Sequence, residues 1–258
     1  MPVPRQVLFS RGMGTPWSTL LLLAACIVAT APMIFFSVDY YLVLGVGHET
    51  ADIANLRWWH PLTTPFVHGG GWPGAIPHLA INGVLLLGLG TQVERTLGAG
   101  RCFAVTGSGL VVSMILNRLL VGGRAHGASG FTWSYWLFAA QILASAWRHH
   151  RRRLLADPLG WISALLVLLC VLGLIKHWHL WNTLVSLPYV IAWRRKLTDN
   201  LRRVDAGEAP DRGSRRANAL GIAIPAALLA FITAMVAGAL SGAIRWDGKL
   251  RPPRPPSS

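Results

Sequence analysis

Seven apolar stretches, separated by short polar connections, mark out the chain from Trp17 onward. The first runs from Trp17 to Val38, the second from about Ile76 to Val93, and the third from Cys102 to Val121. A fourth opens at Ser129 and reaches Trp147, a fifth covers Leu159 to Ile175, a sixth runs from Trp178 to just before Arg194, and a seventh from Ala217 to about Ile244. A helix needs about 20 apolar residues to cross the hydrocarbon of a bilayer. Backbone N–H and C=O groups must be satisfied internally there, so such stretches fold as helices. The pattern predicts an all-α, polytopic membrane bundle. Its expected divisions are a short N-terminus at 1–16, a six-helix core at 17–194, a basic loop at 195–216, a seventh helix at 217–244 and a disordered, proline-rich tail at 245–258.

Composition sharpens that reading. Of 258 residues, 53% are hydrophobic and only 13% charged, yet the net charge is +14. In a soluble chain that excess would point to nucleic acid. Here the basic residues sit between apolar stretches, where they set orientation and meet anionic lipid, so no nucleic-acid partner is expected. Arg5 and Arg11, Arg95 and Arg101, Arg148 to Arg153, and Arg194 to Arg216 fall on one side of the predicted membrane. The positive-inside tendency makes that side the cytoplasm, with the N-terminus inside and the C-terminus outside an inner or plasma membrane. Ser129 and His179 then lie at similar depth near the outer face. The first stretch reads as an uncleaved signal anchor, although Ala29-Thr30-Ala31 also resembles a processing site. Residues from Asp39 to Pro77 read as one long loop, rich in tryptophan, glycine and histidine, that lies in the interface. Cys26, Cys102 and Cys170 all fall within apolar stretches with no metal-ligand spacing, and are read as small core residues.

The ionisable inventory limits the chemistry. Among ten acidic residues only Glu94 touches a predicted span, at its inner boundary. A paired-aspartate mechanism has no residues to use, and no His-Glu-x-x-His zinc motif occurs. A proton-coupled solute transporter, the most distant of the functions considered, would need buried carboxylates. Serine with histidine survives: a hydroxyl is a weak nucleophile until a base takes its proton, and histidine suits that task. Gly127-Ala128-Ser129-Gly130 offers such a serine, although a serine in so short a motif is more often a helix N-cap or a tight-packing residue. His78 and Asn82, four apart on a helix, share one face and can aim two donors at one point. An interhelical polar contact is the alternative for that pair.

Taken together these motifs resemble those of the rhomboid intramembrane serine proteases, over roughly residues 58 to 194. Gly127-Ala128-Ser129-Gly130 is similar to the family's Gly-x-Ser-Gly, and His78 to Asn82 to its His-x-x-x-Asn. The stretch from Trp59 through Thr63 to His68, and Gly90, Glu94 and Gly98, also match in order. The resemblance implies a Ser129 nucleophile and a His179 base, with His78, Asn82, Gly127 and Trp133 around the oxyanion and substrate. It implies transmembrane protein substrates cleaved near the outer face, and neither metal nor cofactor. The runner-up is a non-catalytic relative that binds or retains membrane partners. Departures from the family pattern are His60, Ser134, Trp178, Asn182 and Ser186. His179 is preferred over His177 as the base because the family's two small-residue offsets then fall on Asn182 and Ser186, not on Leu180 and Leu184. Residues two apart also face about 200° apart, so only one of these histidines can point at Ser129. Trp133, four residues after Ser129, is expected either to stack on that imidazole or simply to fill the core.

Overall fold

The computed structural model describes residues 4–9, 13–36, 60–68, 71–116, 127–174 and 177–241, and every regular element among them is helical. A short α1 (Pro4–Phe9) precedes α2 (Trp17–Phe36) and α3 (His60–Thr63), which runs into a 3₁₀ turn at Thr64–Phe66. Then follow α4 (Gly71–Leu85), a π-helical turn (Leu86–Gly90), α5 (Thr91–Leu97) and α6 (Ala99–Leu116). The second half holds α7 (Ser129–Thr132), α8 (Trp136–Leu155), α9 (Pro158–Gly173), α10 (His177–Asp205) and α11 (Arg215–Leu240).

Two helical stretches among the described residues, Gly74–Leu97 and Arg215–Leu240, are long and apolar enough to cross a membrane. Trp17–Pro32 and Pro158–Gly173 are shorter apolar helices. The expected count of six spans plus one is therefore not reproduced. One reason is that the third span's end, 117–121, lies outside the described residues, as do 37–38 of the first span and 39–59 of the first loop. Other differences are real features of the helices. The second begins at Gly71, not near Ile76; Pro73 falls in its first turn, where a missing N–H costs little, and Pro77 lies inside the helix and removes one backbone bond. The fourth is broken: Ser134 and Tyr135 donate to the carbonyls of Phe131 and Thr132, tightening the chain between α7 and α8. The Thr132 hydroxyl bonding back to the Ala128 carbonyl, and Ser134 Oγ to that of Gly130, compete with a regular ladder there. The sixth runs past Arg194 to Asp205, so the expected loop 195–216 is helical over its first half.

The core forms where small and apolar faces meet. Leu22, Ala25, Cys26 and Ala29 of α2 are fully or almost fully buried, against α11 on one side and α4 on the other. The two other cysteines are buried as well, and all three are free thiols. Close approach of α11 to the α5–α6 junction depends on glycine. A Cβ on Gly98, which has φ +91°, would lie 2.1 Å from the Arg212 carbonyl oxygen. On Gly100 it would lie 2.5 Å from the Ala217 oxygen, and on Gly221 it would lie 2.4 Å from Ala99.

Glu94 explains how the one carboxylate at a span boundary is tolerated. It is fully buried on α5, and its oxygens accept from the N–H groups of Ser18 and Thr19 at 3.0 and 2.8 Å and from Thr19 Oγ1 at 2.8 Å. Those backbone donors belong to the first turn of α2 and have no intrahelical partner. The carboxylate thus caps another helix and ties α2 to α5.

Candidate functional site

Ser129 is the first residue of α7, which packs among α4, α6 and α10. Of its three sequence readings, nucleophile, N-cap and tight packing, the capping one is not realised. The N-cap is Ala128, and the N–H groups of Phe131 and Thr132 bond to the Ala128 carbonyl at 3.1 and 2.9 Å. Gly127 turns the chain into this position with φ +93°, a conformation that favours glycine. A side chain there would also collide with the His78 ring, since a Cβ would lie 2.8 Å from its Nε2. The imidazole of His78 therefore rests against the backbone two residues before Ser129.

On the other side, α7 is followed by its C-cap Trp133, whose indole stacks on His179 with centroids 3.9 Å apart and planes 13° from parallel. Both residues are buried. Trp133 Nε1–H donates to the Cys170 carbonyl at 3.0 Å, which fixes the ring from α9. His179 Nδ1 lies 2.9 Å from the Gly173 carbonyl oxygen, an acceptor only, so Nδ1 carries a proton in that contact. Gly173 serves twice, because a Cβ on it would lie 2.4 Å from Trp133 Cζ2. One turn further along α10, Thr183 Oγ1 donates to the His179 carbonyl and accepts from Trp136 Nε1–H at 2.9 Å, which joins α8 to the same helix.

His78 and Asn82 lie on one face of α4, with Asn82 Nδ2 donating to the His78 carbonyl at 3.1 Å. Asn82 is almost fully buried and its Oδ1 has no hydrogen-bond partner among the described residues. Asn182 is buried in the same way, also with an unpartnered Oδ1. Ser186 is fully buried and donates to the Thr183 carbonyl at 2.8 Å. The side chains of His60, His177 and Trp178 lie outside what the structure describes.

His68 is the residue whose role sequence reasoning missed. It is fully buried, with Nδ1 at 3.1 Å from the Phe66 carbonyl oxygen and Nε2 accepting from the Ala128 N–H at 3.1 Å. Its own N–H donates to Thr30 Oγ1 at 3.2 Å. One imidazole thus links α2, the turn after α3 and the backbone beside Ser129. The available signal was its place in the Trp-to-His stretch; nothing in the sequence says that its partner is the Ala128 N–H. Among the described residues no group of three histidine, cysteine or acidic side chains could hold a metal.

A family model described as the Rhomboid domain matches residues 55–193, more than half of the chain. No curated protein and no solved structure matches it.

Proposed function

The chain belongs to the rhomboid family, and we propose that it is a multi-pass intramembrane serine protease, its N-terminus in the cytoplasm, that hydrolyses transmembrane protein substrates near the outer membrane face. The family match and the apolar helices mark it as an integral membrane protein. The observation that carries the catalytic reading is the Trp133–His179 stack, one helical turn from Ser129, with the imidazole tautomer set by Gly173.

In this reading His179 Nε2 takes the proton of Ser129 Oγ as the hydroxyl attacks the scissile carbonyl, then passes it to the leaving amine. The negative oxygen of the tetrahedral intermediate is met by the Ser129 N–H at the start of α7, by His78 and by the Asn82 amide. Because the Ala128 N–H already bonds to His68, it shapes the loop and does not join that set. Water then repeats the attack on the acyl-serine with His179 again as base. The Gly173 carbonyl orients the imidazole, so the scheme needs no carboxylate.

A second reading has one observation in its favour. Asn182 and Ser186 occupy positions where the family has small residues, and both are buried on α10 close to His179 in sequence. Extra volume there suits a relative that binds membrane proteins without cutting them. Turnover of a single-pass transmembrane reporter by purified protein separates the two. The protease reading expects cleavage that Ser129→Ala and His179→Ala each reduce at least about 10³-fold without lowering thermal stability. Cleavage that survives Ser129→Ala sinks it, and wild type inert on several reporters favours the binding protein.

A further inference from the structure

The basic end of α8 holds a second built feature, formed by residues outside the candidate catalytic set. The helix departs from regular dihedrals at His150 (φ −141°, ψ 42°) before resuming to Leu155. Between the adjoining ends of α8 and α9 lies a cavity of about 310 Å³, walled by Leu143, Ala144, Trp147, Leu155, Trp161 and Ala164. Those walls are apolar, and Trp147, Leu155 and Trp161 are exposed at them. Trp161 Nε1–H donates to the Leu155 carbonyl at 2.9 Å, which holds that indole in place. Arg148 is the charged residue of the lining, and the Arg151 guanidinium lies 4.5 Å over the Trp147 ring.

Among the described residues the charge here is uncompensated. Arg148, Arg151, Arg152 and Arg153 are all exposed, and among the described residues none pairs with a carboxylate. The two acids at this end are otherwise engaged. Asp157 caps α9 through the Leu159 N–H and accepts from the Arg5 N–H, and Asp205 pairs with His150. An apolar slot asks for hydrocarbon, indoles at its rim mark the headgroup level of a bilayer, and free guanidinium forks ask for phosphate oxygens.

We infer that the α8–α9 groove binds one anionic glycerophospholipid, with an acyl chain between Trp147 and Trp161 and its phosphate at Arg148 and Arg151. A zwitterionic lipid brings its own ammonium against the arginine cluster, so the site discriminates by headgroup charge. Each basic residue near such a headgroup supports about fivefold in affinity, so losing two costs about 30-fold. Failure of this inference leaves the protease proposal untouched, since none of these residues belongs to the catalytic set.

The test is native mass spectrometry of the full chain in neutral detergent, titrated with chain-matched phosphatidylglycerol and phosphatidylcholine. Wild type is expected to retain one phosphatidylglycerol at least tenfold more tightly than phosphatidylcholine. Arg148→Gln with Arg151→Gln should lose about 30-fold for phosphatidylglycerol and most of the discrimination, with an unchanged melting temperature. Ala144→Trp, which fills the slot, should weaken both lipids; should that variant fold poorly, the arginine pair alone decides. Equal affinity for the two lipids, unchanged retention in the arginine variant, displacement of lipid by millimolar inorganic phosphate, or a stoichiometric second polypeptide in place of lipid would each overturn the inference.

Discussion

Gly173→Ala is a change of one methyl group with an unusually large expected effect. A Cβ at this position lies 2.4 Å from Trp133 Cζ2, 3.0 Å from Cε2 and 3.1 Å from Nε1. Comfortable carbon contacts begin near 3.5 Å, so the indole must withdraw by about 1 Å. It has little room to do so, being held by Cys170 at 3.0 Å and stacked on His179 at 3.9 Å. Forced overpacking of this kind costs about 1–3 kcal/mol. A displacement of about 1 Å at a catalytic base costs on the order of 10²-fold in rate. The methyl should therefore lower kcat/KM on a transmembrane reporter by about 10–100-fold and lower the midpoint of thermal unfolding in detergent. The sign of the stability change is the sharp part. In an uncrowded helix, glycine to alanine stabilises by up to about 1 kcal/mol. A variant that is more stable and fully active would show that Trp133 does not rest on Gly173, and the geometry around His179 would be wrong.

Other perturbations probe separate joints of the same site. His68→Phe keeps an aromatic ring, somewhat larger, but leaves the buried Ala128 N–H without its 3.1 Å acceptor. It should cost about 1–3 kcal/mol in detergent unfolding and most of the activity, and an unchanged melt would show that the link to α7 is dispensable. His177→Ala should leave most reporter cleavage, whereas His179→Ala removes it; the reverse pattern would shift the register of α10 by two residues. A topology reporter fused after Arg153 or Arg203 should read cytoplasm, and one at the C-terminus should read the opposite side. A cytoplasmic C-terminus would mean an even number of crossings.

Part of the site was legible because it is local. The shared face of His78 and Asn82 follows from their spacing, and of the two expectations for Trp133, stacking on His179 or filling the core, the structure shows the stack. What escaped sequence reasoning depends on tertiary contact. The Gly173 carbonyl that sets the His179 tautomer is a backbone atom on another helix and leaves no mark in a residue pattern. The role of His68 likewise rests on a backbone N–H sixty positions away. Helix boundaries were misjudged where local chemistry competes with hydrophobic runs. Pro73 at the head of α4 reads as loop in the sequence, although a proline is welcome in a first helical turn. The Thr132 and Ser134 hydroxyls break the fourth stretch despite its apolar composition. Glu94 was noticed for its cost, but its task as a cap for α2 appears only once Ser18 and Thr19 are beside it.

The central claim is that Ser129 is a nucleophile activated by His179, and covalent labelling reads it most directly. Purified full-length protein treated with a fluorophosphonate should carry one adduct, which peptide mass spectrometry locates on Ser129. Labelling should vanish in Ser129→Ala and fall steeply in His179→Ala. An unlabelled wild type, or an adduct that persists in Ser129→Ala, would contradict the account.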